Sequence, residues 1–149
     1  MSTLEQVAYR LALAKGFLAE AEQDLQLERW RSCVDNAQLA VENAGKTVLA
    51  RFNVLSKTHD PARQVTILLQ DPTLPLEIVE KLQQMLPDLL ALGAAEHFLT
   101  DYGDEATYTL PWDLFTRASA TAALQAAQRT FTLAQELVTA FGQWRQQSV

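Results

Sequence analysis

The stretch that decides the fold is LEQVAYRLALAKGFLAEAEQDL, residues 4–25. Its apolar residues recur at alternating spacings of three and four, which places them along one face of about six helical turns. They are Leu4, Val7, Leu11, Ala14, Leu18, Ala21 and Leu25. Ser2 and Glu5 have the spacing of a capping box, in which each side chain accepts a hydrogen bond from the backbone N–H of the other residue. We therefore predict that the first helix begins after Ser2.

A second stretch, WRSCVDNAQLAVENAGKTV at residues 30–48, has the same periodicity. Its apolar positions are Trp30, Val34, Ala37, Val41, Ala44 and Val48. Since only a turn from Gln26 to Arg29 separates the two stretches, we predict that the second helix packs antiparallel on the first. The next position in the series is Arg51, where a charge replaces the expected apolar residue. Its guanidinium can reach water while the stem covers apolar surface, or it can belong to a binding site.

The middle of the chain is interrupted, because all five prolines lie between residues 61 and 111. Asp60 and Pro61 fit the N-cap and the first position of a shorter helix that ends near Gln70. The next helix carries a further apolar series until Pro87 kinks or splits it. That series is Leu76, Val79, Leu82 and Leu86.

The last helix is predicted to begin near Pro111 and shows the three-four alternation once more. Its apolar positions are Ala120, Leu124, Ala127, Phe131, Ala134, Val138 and Phe141. No segment alternates with period two for long enough to indicate a strand. We predict an all-α fold, an up-and-down bundle of four long helices plus one short helix, in a single domain of residues 1–149.

Composition narrows the classes of function. Twelve Lys and Arg stand against eighteen Asp and Glu, a net charge of −6, so no basic surface spans the whole molecule. The single cysteine, Cys33, can form no internal disulfide, and it lies inside a helical pattern where buried thiols are common. We find no signal peptide and no apolar run long enough to cross a membrane, and we expect a cytoplasmic protein.

The motifs for nucleotide triphosphatase and metal chemistry are missing. The five glycines are isolated, so no phosphate-binding glycine loop is present. No Glu-x-x-His pair occurs, and two histidines with one cysteine are too few for a zinc site. We expect no metal and no cofactor, and we interpret His97 as an ordinary helix residue.

One segment, residues 46–64, is basic. The segment contains four basic residues and one acidic residue, Asp60; the basic residues are Lys46, Arg51, Lys57 and Arg63. Its local net charge is +3, whereas the whole chain has a net charge of −6. Asn53 and Thr58 add polar side chains, and His59 can exchange protons near neutral pH. Such a segment can receive a phosphate, although the same pattern also occurs at an ordinary solvated edge.

The stretch from about Ala12 to Gln70 resembles the HEPN family, the higher eukaryote and prokaryote nucleotide-binding domain. The resemblance rests on Trp30, on the run from Asn36-Ala37-Gln38 to Glu42, on Lys46 and on Lys57-Thr58-His59-Asp60. Asp101-Tyr102-Gly103-Asp104 and the alanine-rich helix from Ala118 to Glu136 are similar to the closing segment of that family.

The resemblance implies a helical homodimer that handles RNA or nucleotides and is often encoded beside a small nucleotidyltransferase. Catalytic members act as metal-independent ribonucleases through an Arg, four to six residues and a His. Here seven residues separate Arg51 from His59, and Asp101-Tyr102 stands where related members often have Arg-Tyr. Both departures favour a non-catalytic role.

We therefore expect a dimer that binds nucleotide or RNA phosphate and acts with a partner such as a minimal nucleotidyltransferase, in a toxin-antitoxin-like or RNA-related role. Small residues such as Ala37 and Ala44 would allow close helix approach in the dimer. The predicted binding residues are Lys46, Arg51, Asn53, Lys57, Thr58 and His59. One alternative is an endoribonuclease toxin that uses Arg51 and His59 as catalytic residues. The other is a purely structural helical interaction module.

Overall fold

The computed structural model describes residues 2–54, 60–93 and 99–147. The regular secondary structure in these ranges is helical, and they contain no β-strand. The named helices are α1 (Thr3–Gln26), α2 (Trp30–Arg51), α3 (Pro61–Leu68), α4 (Leu76–Ala91), α5 (Pro111–Leu114) and α6 (Arg117–Gln147). Residues 99–102 are also helical. The all-α class and the four long helices are confirmed, and α5 adds a second short helix to the predicted α3.

The start of α1 follows from its sequence. Ser2 Oγ accepts a hydrogen bond from Glu5 N–H at 3.2 Å, and the Glu5 carboxylate accepts one from Ser2 N–H at 2.8 Å. The predicted capping box is therefore confirmed, and it satisfies N–H groups that a helix start otherwise leaves unpaired.

Side-chain contacts between α1 and α2 show that the two helices run antiparallel. Asn36 donates to Asp24 at 2.8 Å near the turn, and Arg10 donates to Asn43 at 3.3 Å further along. The contact further from the turn joins a lower residue number in α1 to a higher one in α2, as antiparallel helices require. The predicted antiparallel packing is therefore confirmed. The buried face of α1 consists of Val7, Ala14, Leu18 and Ala21, whereas Leu4 is 67% exposed beyond the edge of the core.

The last long helix, α6, runs parallel to α2 and antiparallel to α4. Cys33 at the start of α2 contacts Ala120 at the start of α6, with 3.6 Å between Sγ and the carbonyl oxygen. On the other side, Lys81 contacts Glu136 at 2.9 Å and Arg129 contacts Asp88 at 2.9 Å, in opposite residue order. The helices α1, α2, α4 and α6 therefore alternate in direction, which is the predicted up-and-down arrangement.

Helix α2 is the centre of the core. Ala37 and Ala44 are both fully buried by the other helices of the same chain. These two small residues let helices approach within the bundle, so they give no support to contact with a second copy. Gly45 has the same role, because a Cβ there would lie 2.8 Å from Pro61 Cγ and 3.0 Å from Leu89 Cδ2. Close packing at Gly45 thus holds the start of α3 against the middle of α2.

Two sequence predictions about α4 are correct only in part. Of the two alternatives at Pro87, the split is wrong, because the helix continues to Ala91. Pro87 and Gln83, whose carbonyl loses its helical partner, are both exposed, so water can satisfy that carbonyl. The buried face is Ile78, Leu82, Met85 and Leu89, whereas Leu76 is 71% exposed because it is the first residue of the helix.

The last long helix begins at Arg117 rather than near Pro111, which opens the separate helix α5. Phe115 between them has extended backbone angles, and its side chain is buried. Thr116 and Ser119 then exchange hydrogen bonds, from Ser119 N–H to Thr116 Oγ1 at 3.2 Å and from Thr116 N–H to Ser119 Oγ at 2.8 Å. This arrangement resembles a capping box with Ser in place of Glu, and it sets the start of α6.

None of the helices in the described residues combines the length and the apolar character that crossing a bilayer requires. The described part of α2 ends at Arg51. The interpretation of His97 lies outside the described residues.

Candidate functional site

Lys46, the first predicted binding residue, lies in the middle of α2 and is largely buried. Its side chain is 11% exposed, and Nζ lies 3.8 Å from Glu42 Oε2, one turn earlier. A buried ion pair has lost much of its hydration, so removing either partner leaves an uncompensated charge. Lys46 is therefore bound to its neighbour on α2 and is poorly placed to receive a ligand directly.

Arg51, the last residue of α2, packs on the end of α6. Its Cζ lies 4.4 Å from the centre of the Phe141 ring. A Cβ at Gly142 would lie 3.2 Å from Arg51 Nη2, so the glycine permits this close approach. A guanidinium that stacks on an aromatic ring keeps N–H donors free for an anion.

Arg145 brings a second guanidinium to the same ring. Its Cζ lies 5.2 Å from the centre of Phe141 and 4.6 Å from that of Trp144. Phe52 meets Phe141 edge to face, with 4.5 Å between the ring centres. We call Arg51, Phe52, Phe141, Trp144 and Arg145 the Phe141 cluster. Phe141 itself is buried, Phe52 and Trp144 are partly buried, and the cluster carries two permanent positive charges.

Asp71 is an acidic group near the Phe141 cluster. Its pKa lies below the usual value, mainly because the Thr73 hydroxyl and backbone N–H donate hydrogen bonds to it at 2.7 and 2.9 Å, and to a smaller extent because of the charge of Arg145. Asp71 is exposed and fixed by Thr73. Neither arginine of the cluster forms an ion pair with a carboxylate among the residues that the structure describes.

Asn53 serves the end of α2. It has a left-handed backbone conformation, with φ 61°, and donates its N–H to Ala50 O at 3.0 Å, while Val54 N–H bonds to Leu49 O at 2.8 Å. This is a Schellman motif, in which asparagine is one of the few residues that tolerate the backbone angle. Its side chain accepts a hydrogen bond from Thr3 Oγ1 at 3.3 Å, which ties the start of α1 to the end of α2.

The described residues do not bring the predicted set together. Lys46 and Arg51 are five positions apart on one helix, so they point about 140° away from each other. Lys57, Thr58 and His59 lie outside the described residues, and the predicted catalytic pair is therefore described at Arg51 alone. Within the described ranges, no three side chains of His, Cys, Asp or Glu gather to hold a metal ion.

Sequence reasoning missed Phe141, Trp144 and Arg145 as neighbours of Arg51. The available signal was Arg51 itself, because a charge at an apolar position of α2 needs a surface that can accept it. Nothing in the local sequence indicates that the surface is the last turn and a half of α6.

The fold and the Phe141 cluster define an all-α up-and-down bundle with a pair of arginines on aromatic rings at one end. A model of the HEPN domain matches residues 7–137, and the chain therefore belongs to the HEPN family.

Two solved structures have the same fold. The crystal structure of TT1696 from Thermus thermophilus is 22% identical, with 89% of this chain and 98% of that chain covered and a TM-score of 0.65. The crystal structure of ST0689, described as an archaeal HEPN homologue, is 15% identical, with 89% and 97% covered and a TM-score of 0.61. At these identities the likeness concerns the fold. No curated protein sequence matches the chain.

Proposed function

We propose that this HEPN protein is a homodimer that binds the phosphate of a nucleotide or an RNA and acts with a partner such as a minimal nucleotidyltransferase. The observation that carries the binding proposal is the Phe141 cluster. Two guanidinium groups lie within 5.2 Å of one ring, and neither forms a close ion pair with a carboxylate of the described residues, although the charge of Arg145 acts on Asp71. An anion bound to either guanidinium offsets the positive charge of the pair and can accept paired hydrogen bonds from the fork that it contacts.

Each predicted residue receives a role in this proposal. Arg51 is the principal phosphate ligand, and Arg145 joins it. Lys57, Thr58 and His59, which follow α2 in the sequence, remain predicted contacts. Lys46 and Asn53 act indirectly, through the ion pair with Glu42 and through the end of α2 respectively.

Calorimetry with AMP and with a 5′-phosphorylated single-stranded RNA tests the binding. Arg51→Ala should weaken binding by at least tenfold, since a hydrogen bond to a charged group contributes about 1.5–3 kcal/mol. Lys15→Ala is the control, because it removes a positive charge from an exposed position on α1, outside the basic segment of residues 46–64. Binding should also weaken as salt rises, since exposed charges are screened over about 8 Å at physiological ionic strength.

Equal affinity of the Arg51→Ala and Lys15→Ala variants, with unchanged thermal unfolding, would contradict the binding site. An RNA cleavage assay in the presence of a chelator runs in parallel. Cleavage by the wild type that both Arg51→Ala and His59→Ala abolish would replace the binding proposal by the ribonuclease alternative.

Light scattering tests the dimer. We expect a mass of twice 16.6 kDa at micromolar concentration. The support for this part of the proposal is the family resemblance, and a monomer mass across the concentration range would overturn it.

A further inference from the structure

A second cationic and aromatic site lies at the opposite end of α2, about 31 Å from Arg51 along the helix axis. A cavity of about 390 Å³ is lined there by Glu28, Arg29, Trp30, Arg31, Ser32 and Trp112. This volume falls within the range of small-molecule sites. The lining comes from the turn after α1, the first turn of α2 and helix α5, so the tertiary fold assembles it. We call these six residues the Trp112 cavity.

Arg31 is the best-fixed cation of the Trp112 cavity. Its Nη1 donates to the Thr100 carbonyl at 3.0 Å, and its Cζ lies 6.0 Å from the centre of the Trp112 ring. Its Nε is buried and has no hydrogen-bond partner among residues 2–54, 60–93 and 99–147. A buried donor without a partner is costly, so Arg31 has hydrogen-bonding capacity that the described residues do not use.

Two further arginines set the charge around the cavity. Arg29 is exposed at the N-cap of α2, and the first turn of α2 contains no acidic residue. Glu28 is the acidic residue of the lining, and Arg117 binds its carboxylate at 2.5 Å while lying 4.7 Å above the Trp30 ring. Because Arg117 neutralises Glu28, Arg29 and Arg31 leave the cavity with an excess of positive charge.

Trp112 gives the cavity a flat apolar surface. Its side chain is 69% exposed on the short helix α5, although an indole of this size would normally be covered. An exposed aromatic face beside arginines is the arrangement on which unpaired nucleobases stack. Inorganic anions and acidic peptides would use the arginines but would leave this face unoccupied.

We infer that the Trp112 cavity binds a nucleoside monophosphate, either free or as a unit of single-stranded RNA, with the base on Trp112 and the phosphate on Arg29 and Arg31. The site is separate from the Phe141 cluster and does not depend on it. If both sites are occupied by one RNA, α2 is the spacer between them.

Calorimetric titrations with AMP, adenosine and inorganic phosphate test the inference. We expect AMP to bind the wild type more tightly than either fragment. Trp112→Ala should weaken AMP binding about tenfold and leave phosphate binding unchanged, since stacking contributes to the base alone. Arg29→Ala should weaken both AMP and phosphate. The exposed residues Tyr9 and Lys15 on α1 supply matched controls, and Tyr9→Ala and Lys15→Ala should bind AMP like the wild type.

The variants also separate this site from the Phe141 cluster. Loss of one AMP site in both Trp112→Ala and Arg29→Ala, with that site retained in Arg51→Ala, supports the inference whether or not the proposed function holds. Loss in Arg51→Ala alone, or no AMP binding by the wild type at millimolar concentration, overturns it. A 5′-phosphorylated oligoadenylate then distinguishes the source of the ligand, because at least tenfold tighter binding than AMP, sensitive to the same two variants, identifies RNA.

Discussion

Glu28, two residues after the last residue of α1, has a left-handed backbone conformation, with φ 59°. Its N–H bonds to Leu25 O at 3.1 Å and the next N–H, of Arg29, bonds to Asp24 O at 2.8 Å, which is a Schellman motif. Glycine usually occupies this position, because a Cβ crowds the following carbonyl at a cost of about 1–2 kcal/mol. The helix end is therefore formed against a local steric preference.

Replacing Glu28 should change stability in a predictable order. Glu28→Gly and Glu28→Ala both remove the exposed ion pair with Arg117, which contributes at most about 1 kcal/mol. Only the glycine relieves the backbone strain. We expect the free energy of unfolding in urea to be about 1 kcal/mol higher for Glu28→Gly than for Glu28→Ala. Equal values for the two variants would show that the turn carries no strain.

Cys33 should be unreactive in the folded protein. Burial raises the pKa of its thiol from 9.0 to about 11, and the charge of Asp24 adds to the shift. Since the thiolate is the reactive form, labelling by a disulfide reagent at pH 8 should be slow until a denaturant is added. Rapid labelling of the native protein would contradict this burial.

The same shift predicts a pH dependence of stability. The neutral thiol is favoured in the folded state, so its contribution is complete below pH 9 and is lost as pH rises toward 11. The loss should reach about 2–3 kcal/mol, from roughly 1.4 kcal/mol per pKa unit. Cys33→Ala should lack this component, and the measurement is the difference between wild type and variant in unfolding free energy across about pH 8–11. A pH-independent difference would refute the shift.

The candidate site was predictable from the sequence at Arg51 and much less so elsewhere. A charge at an apolar position of α2 is visible in the periodicity. Its contact with Phe141 joins residues on different helices and has no local signature. Asn53 has a polar side chain of the kind that binds ligands. Its role at the end of α2 depends on a backbone angle that the sequence pattern does not specify.

At the scale of single helices, two glycines differ in whether the structure has space for a Cβ. Gly16 lies in α1 with nothing within 4 Å of where a Cβ would be, whereas Gly45 faces Pro61 and Leu89 at 2.8 and 3.0 Å. Alanine is favoured over glycine inside a helix by about 1 kcal/mol. Only at Gly16 is that preference free of a steric conflict.

We expect Gly16→Ala to raise the free energy of unfolding by about 0.5–1 kcal/mol. Gly45→Ala should lower it by about 1–3 kcal/mol, since overpacking at α3 and α4 exceeds the gain in helix propensity. Chemical denaturation of the pair measures both. A stabilised Gly45→Ala variant would mean that α3 can move away from α2 without penalty.

Helix α1 was predictable because periodicity and a capping signal agree, and α2 was predictable from periodicity alone. In α1, Val7, Ala14, Leu18 and Ala21 of the predicted series are buried, and Ser2 caps the helix as its spacing from Glu5 predicts. In α4 the sequence holds two competing apolar series, and burial selects the one with Ile78 and Met85. Tertiary packing decides which of the two series is buried. The periodicity within one helix does not contain that information.

At the scale of the molecule, α2 lies between α1 and α6 and has a different candidate site at each end. The net charge of −6 makes nonspecific attraction of nucleic acid weak, so any affinity should depend on these local arginines. The variants at the Phe141 cluster and at the Trp112 cavity are therefore informative. No extended basic surface compensates for the loss of one arginine.

The parallel pairing of α2 with α6 has a consequence for the order of folding. Helices α1 and α2 are joined by a three-residue turn, so their contact closes a short loop. The Cys33 to Ala120 contact between α2 and α6 closes 87 residues. Loop closure entropy grows with chain length, and distant contacts form more slowly than local ones.

We therefore expect the α1–α2 hairpin to be formed in the transition state before α6 docks on it. Leu18→Ala, in the core face of α1, should mainly slow folding, whereas Leu137→Ala, fully buried in α6, should mainly speed unfolding. Stopped-flow measurements across a denaturant series separate the two rates for each variant. A folding rate that falls more for Leu137→Ala than for Leu18→Ala would place the nucleus at the α2–α6 contact instead.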